Sequence, residues 1–232
     1  MTEMRAPHLR LVVSEPAPAP VRTPRIRFKP VVRLEDGAAF GVHAESEFSF
    51  EDTFHPRHLT QTELPTAGGW LGEQIERIAQ LAEKTGATLR PISLLAPMAA
   101  LSDPDAPMAA EAGAIRAGVL PQEFRIDFPD AAVSALDDLA WDQLDAYRRR
   151  GFRIGLDARQ SWRTPMSSRA RMTFEAVRFD LSRFNLLEVP MSRLEVASAE
   201  GVALIAENAW WRDAQELAAM GVSFAVAPKT DC

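Results

Sequence analysis

The sequence predicts an α/β fold closed into an eight-stranded barrel of the (β/α)8 type, modified at its start. Three observations carry this expectation. The chain opens on two β-rich stretches, Ile26–Leu34 and Ala39–Ser46, joined by Glu35-Asp36-Gly37-Ala38, whose Asp-Gly pair signals a hairpin turn. Beyond them, strand patterns alternate with helical ones. The later strands start at 124, 152, 177, 202 and 223, intervals of 28, 25, 25 and 21 residues that suit compact parallel βα units with short loops. Eight strands with helices between all but the first two close most economically as a barrel. An open doubly wound sheet is the structural alternative.

Taken in order, residues 1–24 hold Pro7, Pro16, Pro18, Pro20 and Pro24 without sustained periodicity and read as a disordered, basic, Pro-rich leader. The barrel domain is assigned to 25–232. After the hairpin, Leu71, Ile75, Ile78 and Ala82 share one helical face, with Gly86 as a stop. Leu89–Leu95 is apolar enough for a strand despite Pro91, Pro107–Ala117 is an Ala-rich helix ended by Gly118, and Phe124–Phe128 is a short strand. Ser134 resembles the N-cap of a helix carrying Leu136, Ala140, Leu144 and Tyr147, which ends in three arginines and Gly151. Those arginines complement the helix dipole. The second half repeats the unit: strand Phe152–Asp157, helix around Ser167–Glu175, strand Val177–Leu181, helix around Met191–Ala197, strand Val202–Glu207, helix Ala209–Met220 and strand Ser223–Ala227.

Composition narrows the function classes. The chain has 232 residues, one cysteine and a formal charge of −6, which excludes an intrachain disulfide or a multi-cysteine metal cluster and argues against non-specific nucleic-acid binding. No run approaches a membrane span and no signal-peptide core opens the chain, so a cytoplasmic location is expected. Residues 1–33 carry seven Lys/Arg against Glu3 and Glu15, net +5, which leaves −11 for the remainder. The leader is either a solvated tail or a tail that docks on a partner. His43, His55 and His58 allow a zinc site on paper, but Pro56 interrupts the local pair. Trp210 and Trp211 read as core plus one partly exposed ring, or else as an interface anchor.

Six segments then resemble a known family in order and spacing. They are Phe28 through Glu45, Leu101-Ser102-Asp103-Pro104-Asp105, Gly118 through Asp127, Gly151 through Asp157, Val177-Arg178-Phe179-Asp180 and Ile205-Ala206-Glu207-Asn208. Together they are similar to the EAL domain. The resemblance implies a triosephosphate-isomerase-like barrel whose first strand is antiparallel to the rest, as the hairpin suggests independently. It also implies bacterial cyclic di-GMP signalling, in which active members hydrolyse that dinucleotide with two Mg²⁺ or Mn²⁺ ions held at the C-terminal ends of the strands.

Carried over position by position, the family's ligands are altered. His43 stands at the glutamate of the family's name, and Ser93 (or Leu94 in a shifted register) at its asparagine. Asp127 and Asp130 replace a pair of glutamates. Of the paired aspartates only Asp157 remains, since Ala158 follows it. Arg178 replaces the lysine, Glu207 is retained and Val226 takes the place of a glutamine. Glu47 falls where an arginine grips the dinucleotide, and Arg159-Gln160-Ser161-Trp162 replaces a glycine-rich segment. The stretch from Ser46 to Trp70 is too short for the family's extra helix and substrate loop.

Asp127, Asp157 and Glu207 would repel one another without metal. Arg178, with His43, is therefore expected to take over the charge role of the cations and turn a metal centre into a salt-bridge network; unrelated remnants are the alternative. The function expected is a degenerate, catalytically inactive EAL-like module that binds another signalling protein and needs no cofactor. The alternatives are a phosphodiesterase with residual or altered activity using Mg²⁺ or Mn²⁺ on Asp127, Asp157 and Glu207, a cyclic di-GMP-binding effector, which Glu47 disfavours, or a different barrel enzyme. Neither nucleic acid nor a membrane span is expected, and a second copy of the chain is a candidate partner.

Overall fold

The structure is a computed structural model that describes residues 25–54, 66–183 and 191–230. Its strands form a closed barrel in sequence order: β1 (Ile26–Arg33), β2 (Ala39–Ser46), β3 (Ile92–Leu95), β4 (Phe124–Pro129), β5 (Arg153–Asp157), β6 (Ala176–Asp180), β7 (Ala203–Glu207) and β8 (Phe224–Val226). β1 is antiparallel to both of its neighbours, β2 and β8, and every other pairing is parallel. A two-stranded hairpin can feed a parallel barrel only if one of its strands runs against the rest, and the Asp36-Gly37 turn, with Gly37 at φ 71°, makes that strand β1.

The helices are α1 (Ala67–Thr85), α2 (Ala106–Arg116), α3 (Asp130–Ala135), α4 (Asp137–Arg149), α5 (Ser168–Thr173), α6 (Met191–Ala199) and α7 (Ala214–Ala219). α1 begins where the Thr66 side chain accepts a hydrogen bond from the Gly69 N–H and ends at Gly86 in the left-handed region. Its Leu71, Ile75, Ile78 and Ala82 are all buried, as their shared face requires. α1 and α2 pack backbone to backbone, because a Cβ on Gly113 would overlap the Gly72 carbonyl.

Alternation along the strands separates two cores. One set of side chains meets the helices in a large apolar layer that includes Leu94, Ile126, Leu156, Ala158, Val177 and Leu204. The other set faces the barrel axis, where Val31, Ala176, Ile205 and Val226, with Phe40, Ala203 and Phe224, plug the end from which the parallel strands begin. Phe40 and Phe224 stack there with centroids 4.0 Å apart. Above this plug the interior is polar.

Several boundaries differ from expectation. β3 starts at Ile92, after Pro91, whose ring nitrogen can donate no ladder hydrogen bond. Ser134 caps nothing: helix already begins at Asp130, directly after β4, and the Ser134 hydroxyl donates to the Ala131 carbonyl inside α3. The chain breaks at Leu136 and restarts as α4. The helix expected over 209–220 is a 3-10 turn, Trp211–Asp213, followed by the shorter α7. The leader 1–24, His55, His58 and Cys232 lie outside the described residues. No described helix is long and apolar enough to cross a membrane.

Candidate functional site at the barrel mouth

The parallel strands all point their C-terminal ends toward one mouth, so the last inward-facing residue of each strand converges there. Asp157 ends β5 and Glu207 ends β7. Asp127 lies on β4 opposite Gly155, and Arg178 lies on β6 opposite Asp157. His43 and Ser93 are neighbours across β2 and β3. His43, Ser93, Arg125, Asp127, Asp157 and Arg178 are all buried.

Three guanidinium groups answer the three carboxylates. Arg159 holds Asp157 through both oxygens, at 2.8 and 2.9 Å, and reaches Glu207 at 3.3 Å. Arg125 donates to Asp127 at 2.8 Å. Arg178 sits between them, 3.5 Å from Glu207, 3.7 Å from Asp127 and 3.9 Å from Asp157. Its Nε and Nη2 have no hydrogen-bond partner of good geometry, so Arg178 serves as a central charge more than as a donor. Gly155 leaves the space this needs, since a Cβ there would overlap Asp127 Oδ1 and come within 3.2 Å of Arg125 Nε.

His43 completes the arrangement as a neutral ring. Burial, then the charges of Arg178, Arg159, Arg125 and Lys29, push its pKa well below the usual imidazole range. Arg178 Nη1 lies 2.8 Å from both ring nitrogens, Nδ1 is also 3.1 Å from Ser93 Oγ, and Ser93 Oγ donates to the Val42 carbonyl at 3.3 Å. A neutral ring offers one unprotonated nitrogen to accept from the guanidinium. Burial raises the Asp157 pKa, but Arg159 and Arg178 outweigh it and hold the carboxyl below its ordinary value. Burial lowers the pKa of Arg159, but Asp157 and Glu207 outweigh it and push that already high value further up.

The structure brings together His43, Ser93, Asp127, Asp157, Arg178 and Glu207, six of the seven positions singled out in sequence. Ser93, and not Leu94, is the inward residue, since Leu94 lies in the strand–helix core. Asp130 stands apart: its buried carboxylate opens α3 and accepts from Ser161 Oγ, the Arg163 N–H and the Thr164 N–H at 2.7, 2.7 and 2.8 Å. Ala158 belongs to the strand–helix core and Val226 to the apolar plug. Glu47 is ion-paired with Arg27 on the rim at 2.8 Å. Arg125 and the role of Arg159 were missed. The available signal was spacing: each lies two residues from an aspartate, which places it on the same side of an extended chain.

This donor set does not suit a pair of hard dications. Mg²⁺ or Mn²⁺ needs open carboxylate oxygens, whereas those of Asp127, Asp157 and Glu207 face guanidinium groups that would repel the ion. Among the described residues no group of three or more His, Cys, Asp or Glu side chains is placed to hold a metal.

The fold is that of EAL domains. The chain is similar to the PaMucR phosphodiesterase, solved as a c-di-GMP complex, at 15% identity over 88% of each chain with a TM-score of 0.66. It is similar to Klebsiella pneumoniae BlrP1, solved with manganese and cyclic di-GMP, at 14% identity and a TM-score of 0.71, covering 93% of this chain but 57% of that one. The EAL domain of Mycobacterium smegmatis DcpA matches at 13% identity and a TM-score of 0.65, over 88% of this chain and 90% of that one. No protein-family model matches the sequence, and no curated protein sequence does.

Proposed function

We propose that the chain is an EAL-like barrel without catalytic activity, which works by binding another protein in a cyclic di-GMP-related pathway. One observation carries this reading: each mouth carboxylate that could ligate a metal is matched by an arginine, and the position nearest the centre of the cluster is itself Arg178. An active site that lowers the pKa of a metal-bound water needs dications there. A guanidinium cannot replace them, because it offers no open coordination position and does not give up its proton. With hydrolysis removed, what the barrel retains is a rigid surface, and binding is the activity that such a surface supports.

The test incubates the full chain with cyclic di-GMP and Mn²⁺ or Mg²⁺ while following turnover and, by calorimetry, metal and dinucleotide binding. The expected result is no hydrolysis and no stoichiometric metal uptake. Hydrolysis that disappears in Asp157→Ala overturns the reading in favour of a phosphodiesterase; dinucleotide binding without turnover replaces it with an effector.

A further inference from the structure

A cavity lies outside the barrel, between α3, the loop that follows β5 and the start of α5, with a volume of about 500 Å³. That is the size of a small-molecule site. Val133 and Pro165 supply apolar wall, the Arg169 guanidinium lies over the Trp141 ring, 5.3 Å from its centroid, and Arg163 and Thr164 come from the loop. The loop is held in place by Asp130, which accepts from the backbone N–H of both Arg163 and Thr164. The cavity is thus preformed by a buried carboxylate that has no part in the mouth network.

Two features point to a ligand. Arg169 is balanced by Asp145 at 3.4 Å and Asp142 at 3.6 Å, but the Arg163 guanidinium has no hydrogen bond or ion pair among the described residues. In a chain of net charge −6, no described residue lining this cavity is acidic. Thr164 is 2% exposed and its Oγ1 has no hydrogen-bond partner. Leaving a buried hydroxyl unpaired is costly, and rotation about χ1 exchanges it with the methyl that shares its Cβ. An acceptor placed in the cavity would give that hydroxyl a partner.

We infer that this cavity binds a small organic anion, a carboxylate or phosphate monoester on an apolar body, with its oxyanion on Arg163 and Thr164 Oγ1 and its body against Val133 and Pro165. The test titrates the ¹⁵N-labelled full chain at constant ionic strength with benzoate, phenyl phosphate and inorganic phosphate. The amides of Arg163 and Thr164 and the Trp141 indole N–H report binding. At least one of the two aromatic anions should shift these signals saturably, and inorganic phosphate at least tenfold more weakly. Arg163→Glu should weaken binding tenfold or more and Thr164→Val severalfold, while Arg116→Ala, a remote basic site, leaves it unchanged. Because the Arg163 side chain is solvent-exposed, Arg163→Glu should keep the wild-type circular dichroism. The inference is overturned by absent or non-saturating shifts, by equal binding in Arg163→Glu, or by saturation with an acidic peptide but none of the small anions. None of these outcomes depends on whether the mouth turns over cyclic di-GMP.

Discussion

At the level of single residues, the decisive one is Arg178. It is 1% exposed and close to three carboxylates at once. Taking one member out of a buried charge network costs about 3–5 kcal/mol, because the partners stay buried without compensation. Arg178→Met should therefore lower folding stability by that amount, read as a reduced urea midpoint at constant m value. Arg27→Ala, which removes only the exposed rim pair with Glu47, should change it by about 0–1 kcal/mol. His43 gives a second handle, since its pKa is depressed in the folded state. The unfolded chain then binds a proton that the folded chain does not as pH falls below the ordinary imidazole value of about 6.5. Stability is full above that pH and falls with acidification, at up to about 1.4 kcal/mol per pH unit for one proton. Denaturant midpoints at pH 7, 6 and 5 should decline in the wild type, and His43→Gln should flatten that decline. Asp157 acts in the same direction at lower pH: its stabilisation is present above the ordinary carboxyl value and is lost as pH falls through the depressed one.

Among the elements, the contact between α1 and α2 and the loop after β5 stand out. α1 and α2 approach so closely that Gly72 and Gly113 leave no room for a methyl group. Gly113→Ala should cost about 1–3 kcal/mol by overpacking, measurable as a lower melting temperature. Periodicity identified α1 and an Ala-rich composition α2, but neither showed this contact, since nothing in the spacing of Gly72 and Gly113 says that they face each other across 40 intervening positions. The loop after β5 was legible only as a departure from a glycine-rich pattern. Asp130 turns that departure into structure by binding two of the loop's N–H groups and the Ser161 hydroxyl, and so an aspartate read as a candidate ligand positions a loop. A helix start was misplaced for a related reason. Ser134 and Asp137 have the chemistry of a cap, but residue type alone does not reveal that Asp130 has already begun the helix.

For the molecule as a whole, the local pattern was sufficient for the barrel and insufficient for its centre. Strand and helix periods, the Asp36-Gly37 turn and the regular strand spacing determine the element order, the antiparallel β1 and the inward set of residues, because these follow from alternation and turn chemistry within short stretches of chain. The same alternation placed His43, Asp127, Asp157, Arg178 and Glu207 at one mouth. Only closure of the barrel decided which charges meet: Arg159 spans from β5 to Glu207 on β7, Arg178 reaches both β4 and β5, and Asp130 turns away from them all. Those pairings join residues 21 to 51 positions apart and depend on barrel radius and strand stagger, quantities that no local pattern encodes. The charge arithmetic changes in the same way: three of the acids behind the overall −6 are neutralised inside the barrel, which the sequence could count but only the tertiary structure could pair.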